Sequence, residues 1–318
     1  MRTFCQLRPY RSSSKQVRIT RCATFASCSS NPRADRCAVS TSIARRSSGS
    51  TRKRPAAIPI VSTTADVEPA FRVGTAAWSI PRDLRERFPA EGTRLERYAT
   101  AFTCAEINSS FYRPHRRATY ERWAASVPDD FAFALKLPKE ITHTRRFAGC
   151  AEPLERFFDE SAGLGAKRAV VLVQLPPSFA FDAALASAFF AELRERYDGG
   201  LACEPRHPTW FEPGAGALLG VHRIARVAAD PAILPAAAEP GGWGGLRYYR
   251  LHGSPRTYWS AYEPERLAGF ATSLRGHAAG APVWCIFDNT AMDAATGNAF
   301  TLREMLRDGT SPPSAGGS

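Results

Sequence analysis

No CxxC pair, no HExxH run, no GxGxxG turn and no apolar run of membrane length occurs in these 318 residues. The first two absences argue against zinc-knuckle, thioredoxin-type and zincin chemistry. The third weakens a dinucleotide-binding reading, because GAGALLG at 214–220 has one residue too many and lies late in the chain. The fourth leaves a soluble, cytoplasmic protein as the expectation. Cys104, Cys203 and Cys285 sit inside apolar, strand-like runs. A free thiol behaves there as a small hydrophobe, which points to a reducing compartment without a disulfide framework.

Acidic residues are nearly missing from one end of the chain. Of 42 basic and 30 acidic residues, thirteen basic and one acidic (Asp35) lie in 1–64. The remainder balances at 29 of each, so the net charge of +12 belongs to the tail. Residues 1–69 are rich in Ser and Arg and are expected to be disordered. They read as a transit peptide, implying an organelle, or as translated upstream DNA. Methionine is absent between Met1 and Met292, so the second reading needs a start at a codon such as Val61 or Val67. Arg45–Arg46 lacks the apolar stretch of a twin-arginine signal. Residues 310–318 are expected to form a short disordered tail.

From Phe71 onward, short apolar runs alternate with amphipathic segments. The runs predict eight strands at 71–75, 103–108, 131–136, 168–174, 200–204, 223–229, 246–252 and 282–288. Helices are predicted over 94–101, 119–126, 153–164, 183–197, 264–277 and 294–307, with Pro153 in a first turn and Gly165 at an end. Residues 231–245, rich in Pro and Gly, read as loop. Near-continuous apolar strands alternating with helices imply a parallel sheet covered by helices. The predicted fold is therefore α/β, a single (β/α)8 TIM barrel over 70–309 in which the unit after strand 6 is mostly loop. A doubly wound open sheet is the rival.

A barrel gathers the C-terminal ends of its strands on one rim, and here the ends are polar. Strand 2 carries Glu106 and Asn108, strand 3 ends in Lys136, and strand 4 ends in Gln174. Strand 5 leads through Glu204 into Arg206, His207 and Trp210. Strand 6 runs to Asp230. Strand 7 ends in Arg250 and His252, followed by Tyr258 and Tyr262. Strand 8 leads into Asp288 and Asn289.

The runs EINSSFYRP (106–114), FALKLPKEITH (133–143), QLPPSF (174–179), CEPRHPTW (203–210), YYRLHG (248–253) and FDNTAMDAATGNA (287–299) together resemble the YecE-like family, over nearly all of 71–309. The resemblance implies a TIM barrel catalogued as a domain of unknown function, and it lends weight to the rim residues. It supplies no reaction. Two positions depart from the family pattern: Pro205 stands where a bulky aromatic is usual, and Asp288 where the pattern has Asn. The second adds a carboxylate to the rim.

Lys136, Arg206, His207, Arg250 and His252 suit capture of a carboxylate or phosphate. Trp210, Tyr258 and Tyr262 suit stacking on a ring. Asn108, Gln174 and Asn289 add amides, and Asp230 a further carboxylate. The expectation is a small polar or anionic ligand, such as a sugar phosphate or nucleotide fragment. Proton transfer is assigned to Glu106, Glu204 and His252, without a metal or other cofactor. Each group also has a structural reading. Glu204 with Arg206 or Arg250, and Asp230 with a neighbouring Arg, are ion pairs that close the mouth. Lys136 is neutralised by Glu106; it becomes a Schiff-base amine only if its pKa is depressed.

Three alternatives remain open beside that enzyme. One binds a divalent ion at Glu204, Asp230 and His252. Another holds the same ligand without turnover, as a sensor. The third binds nucleic acid weakly through the basic tail.

Overall fold

The structure, a computed structural model, describes residues 71–308. The chain divides into units at Met1–Ser62 and Thr63–Ser318, and every described residue belongs to the second. The expectations for 1–69 and 310–318, nucleic-acid contact included, fall outside the described residues.

The apolar runs form β1 (Phe71–Ala76), β2 (Cys104–Ile107), β3 (Ala132–Lys136), β4 (Arg168–Gln174) and β5 (Gly200–Glu204). The later strands are β6 (Ile224–Arg226), β7 (Ala228–Asp230), β8 (Gly241–Gly242), β9 (Arg247–Leu251) and β10 (Val283–Phe287). The ladder runs β7-β9-β10-β1-β2-β3-β4-β5-β6-β8. Every pairing is parallel except that of the two-residue β8 with β6. The result is a nearly closed barrel of parallel strands.

The predicted sixth strand is continuous, whereas the observed one breaks at Val227. Its first half pairs with β5, and Val227 N–H still donates to the Cys203 carbonyl at 2.8 Å. Its second half pairs with β9, and the Asp230 carbonyl accepts from His252 N–H at 2.7 Å. A strand that changes partners midway joins the two ends of the ladder.

The outer layer comprises α1 (Arg94–Ala99), α2 (Ser109–Tyr112), α3 (Arg117–Ala125) and α4 (Ala151–Ser161). It continues with α5 (Ala183–Arg196), α6 (Pro213–Val221), α7 (Pro264–Gly276) and α8 (Ala294–Asp308). Glycine-rich α6 has no counterpart in the sequence reading. Its intrinsic propensity is poor, but Pro213 opens it and buried Ala215 and Leu219 anchor it, so packing decides. Among the described residues no helix is long and apolar enough to cross a membrane. Residues 231–246 hold only a short 3-10 turn and β8, as expected.

Strand alternation sorts side chains into two shells. Val73, Ile107, Phe133, Val171, Leu201 and Phe287 face outward and join the helix side chains in the main apolar core. Ala134, Leu172, Ala202, Ala225, Tyr248 and Ile286 fill the lumen in a second, smaller cluster. The lumen is lopsided: β3, β5 and β6 contribute small side chains, and β9 and β10 contribute Tyr248 and Trp284. The room left opposite β9 admits one more long side chain from that strand, Arg250.

Candidate site at the C-terminal mouth of the barrel

The last inward position of most strands is polar, and these positions form the top layer of the lumen. Alternation takes β9 from Tyr248 to Arg250 to His252, β3 from Ala134 to Lys136, and β10 from Ile286 to Asp288. Arg250 is fully buried and reaches across the layer. Its Nε and Nη2 donate to the two oxygens of Glu106 at 3.1 and 2.7 Å. Nη1 donates to Glu204 Oε2, and Nη2 also reaches Asp288 Oδ2 at 2.9 Å. One guanidinium thus ties β9 to β2, β5 and the end of β10. The planar fork of arginine suits this geometry, and a lysine has too few fixed donors for it.

The carboxylates have further donors. Tyr248 hydroxyl donates to Glu106 Oε2 at 2.9 Å. Arg206 donates from Nε and Nη2 to Glu204 Oε1 at 3.0 and 2.9 Å. His252 lies between Glu204 Oε1 at 3.0 Å and Asp288 Oδ2 at 3.1 Å. Burial alone would raise the Glu204 pKa, but Arg250, Arg206 and His252 outweigh it and hold the carboxylate well below its ordinary range. Asp288 is lowered against its burial by Arg250 and His252. Burial opposes the His252 imidazolium, yet Glu204 and Asp288 keep its pKa above the ordinary value. In that state both ring nitrogens donate to carboxylates. Gly253 lets the chain turn at once after His252: its φ is +92°, and a Cβ there would lie 2.6 Å from the Ser260 carbonyl.

Lys136 corrects one expectation. Glu106 does not pair with it, because both Glu106 oxygens are taken by Arg250 and Tyr248. Among the described residues Lys136 Nζ has no hydrogen-bond or ion-pair partner, and it lies 4.2 Å from the centre of the Phe111 ring. Burial, then the Arg250 charge, pulls its pKa down to about 8, although Glu204, Glu106 and Asp288 pull the other way. His143, further along the loop after β3, is a near neighbour on the same aromatic ring. It lies in a π-helical turn, Glu140–Thr144, with its ring 5.0 Å from Phe111. Burial and then Lys136, Lys139, Arg206 and Arg146 bring its pKa down to about 4, so its imidazole is neutral at neutral pH.

A cavity of about 250 Å³ opens beside this layer. Its lining combines the polar Glu204, Arg206, His252 and Thr257 with an apolar set of prolines, alanines and Ile233. Tyr258 hydroxyl accepts from Arg206 at 3.3 Å at the rim.

Other candidates lie elsewhere. Trp210 is fully buried; it donates to the Phe179 carbonyl at 2.8 Å and packs against Phe181 and Phe190, so it is core. Gln174 is spent on the Leu175 carbonyl, and His207 accepts from Thr209 N–H as the cap of a 3-10 turn. Tyr262 hydroxyl donates to Asp230 Oδ1 and accepts from Gly253 N–H, which fixes the loop behind His252. Asn289 donates to the Ser260 carbonyl and to Asn298, within the same loop system. Asn108 touches Asp288 at 3.4 Å, and its Oδ1 is a buried acceptor with no partner among the described residues. Asp230 is tied to Tyr262 and Arg266, away from the Glu204–His252 contact. The three residues of the divalent-ion alternative, Glu204, Asp230 and His252, therefore do not form one cluster. No group of three or more His, Cys, Asp or Glu among the described residues is arranged to hold a metal ion. A dication at Glu204 would also have to displace two arginines.

Residues 72–316 match the family described as "Protein of unknown function DUF72". The UPF0759 protein YecE of Escherichia coli K12 is 29% identical over 143 residues, 45% of this chain and 50% of that protein. The UPF0759 protein YunF of Bacillus subtilis strain 168 is 26% identical over 149 residues, 44% and 52% of the two chains. The chain thus spans about half the length of the curated relatives it matches. Crystal structures of DUF72 family proteins from Thermotoga maritima MSB8 and Enterococcus faecalis V583 superpose with TM-scores of 0.62 and 0.63. They are 24% and 20% identical, over 75% and 74% of this chain and 99% and 95% of theirs, and so share its fold. With its fold and the full length of its barrel accounted for in this way, the chain belongs to the DUF72, or YecE-like, family.

Proposed function

We propose that the barrel mouth binds a small anionic metabolite and performs metal-free chemistry on it. One observation carries the reading. The three buried carboxylates are bonded to Arg250, Arg206, His252 and Tyr248, so cationic and donor groups with spare capacity remain at the rim. Arg206 is only partly committed, with its Nη atoms also turned to Tyr258. Lys136 Nζ has no hydrogen-bond or ion-pair partner among the described residues. A phosphate or carboxylate meets both needs, and the apolar set in the cavity lining suits a short carbon skeleton.

Saturation of Glu106 and Glu204 moves the proton-handling role away from them. Their oxygens accept arginine N–H groups, and Glu204, held well below the ordinary carboxylate range by Arg250, Arg206 and His252, is a poor proton acceptor. The same fact favours, as a second reading, a sensor that binds the anion without turnover. A calorimetric screen of phosphorylated, carboxylated and neutral compounds tests both. Anionic compounds are expected to bind, with weaker affinity at high salt. Neutral apolar compounds binding best would overturn the reading, and anion binding with no product under any condition would favour the sensor.

A further inference from the structure

We propose that Lys136 is an imine-forming amine and that the ligand of this mouth is a small aldehyde or ketone bearing a carboxylate or phosphate. This rests on the anionic-ligand reading above and names the reacting group.

Three features of the geometry point there. First, Lys136 stands at the last inward position of β3, beside a carboxylate layer already bonded to other donors. Its Nζ is left without a partner among the described residues, on the face of Phe111. Second, the neutral His143 rests on the same aromatic ring. Thr142 hydroxyl and His143 Nδ1 are 2.8 Å apart, and Nε2 has no partner among the described residues. Third, the turn carrying His143 is held firmly. Arg146 and Phe147 adopt φ of 49° and 74°, a region costly for large side chains. Phe147 stacks on Phe189 at 3.8 Å and Arg146 donates to Ser178, which fixes that backbone.

The chemistry balances without a further reactant. The amine lone pair adds to the carbonyl carbon, and the carbonyl π pair moves to oxygen. A proton passes from nitrogen to that oxygen through His143 Nε2. The proton that the ammonium released to free its lone pair is returned to the hydroxyl through the same His143 nitrogen. The nitrogen lone pair then expels that hydroxyl as water, leaving the protonated imine. Protonated amine plus carbonyl gives protonated imine plus one water. With a pKa of about 8, roughly a tenth of Lys136 is neutral at pH 7, about three-hundredfold more than an ordinary lysine.

The sequence makes the test clean, because it contains only five lysines: Lys15, Lys53, Lys136, Lys139 and Lys167. Full-length protein is incubated with glyoxylate or dihydroxyacetone phosphate and sodium cyanoborohydride, then mapped by peptide mass spectrometry. The expected result is one secondary-amine adduct on Lys136, formed at least tenfold faster than on Lys139 or Lys167. Its rate rises through pH about 8, and the adduct is absent in Lys136→Arg, which keeps the charge. Equal labelling of the lysines, or an adduct count unchanged in Lys136→Arg, would overturn the proposal. Calorimetry without reductant separates the two readings. Binding without trapping at Lys136 rejects the imine and leaves the anionic site; neither binding nor trapping rejects both.

Discussion

The mouth of this barrel holds two sets of charges that look alike in sequence and differ in what they can do. Below, Arg250 and the carboxylates of Glu106, Glu204 and Asp288 close a network with His252 and Tyr248 in which almost every donor is spent. Above, Lys136 and His143 rest on Phe111, with Nζ and Nε2 lacking partners among the described residues. Burial acts on both sets. At Arg250, Glu204, Asp288 and His252 in the lower one it is outweighed by opposite charge, so those groups stay ionised. In the upper one it prevails, and Lys136 and His143 move toward neutrality. The contrast teaches that ionisable residues at a strand end keep free donors and acceptors only where the layer beneath leaves them unpaired.

The largest expected effect breaks the lower set. Arg250→Met leaves three buried carboxylates short of their common cation. Removing one partner of a buried pair costs about 3–5 kcal/mol, and here three pairs share the partner. A loss of at least about 5 kcal/mol should lower Tm by roughly 10–20 °C in a domain of this size. Calorimetric unfolding checks it; a shift under about 3 °C would mean that the network contributes little.

Much of this layer was legible in the chain. Alternation and strand ends placed Glu106, Lys136, Glu204, Arg250 and His252 at one rim. Strand phase also puts Tyr248 two residues before Arg250 on the same face, a signal the YYRLHG run carries. Sequence could not say which carboxylate takes which cation. That depends on the lumen being lopsided, with alanines opposite β9 leaving room for Arg250 to cross. Trp210 misled for a related reason: its neighbours Arg206 and His207 are polar, but the turn after them folds the indole back onto Phe179 and Phe190. The Val227 break and α6 were hidden because partner exchange and tertiary anchoring leave no periodic trace.

A smaller effect, opposite in sign, sharpens the contrast. Because the folded protein disfavours charged Lys136, Lys136→Met should stabilise it by roughly 2–3 kcal/mol at neutral pH, after allowing for solvent at the mouth. The sign follows from linkage. A lysine whose folded pKa is about 8 and unfolded pKa about 10.5 binds fewer protons in the fold between those values. The wild-type penalty is therefore full below pH 8 and fades by about pH 10.5. Denaturant melts at pH 7 and pH 10.5 should show the advantage of the variant shrink. A gap that grows with pH would reverse the assignment.

Arg206 should have the smallest effect on stability, and it links the lower set to the rim. Its Nε and Nη2 serve Glu204, while its Nη atoms also reach Tyr258 at the rim. Glu204 keeps Arg250 and His252 if Arg206 is lost, so Arg206→Gln leaves no buried charge unpaired. The guanidinium is partly exposed, and a pair of that kind contributes about 1 kcal/mol or less. Tm should move by no more than about 3 °C. Affinity for an anionic ligand should nevertheless fall about tenfold or more, since a charge-assisted hydrogen bond at the cavity wall is lost. A pair of measurements therefore locates the boundary between the layers. Unchanged Tm with weakened phosphate binding places Arg206 on the ligand side, and a large loss of Tm with binding intact places it with Arg250 in the floor.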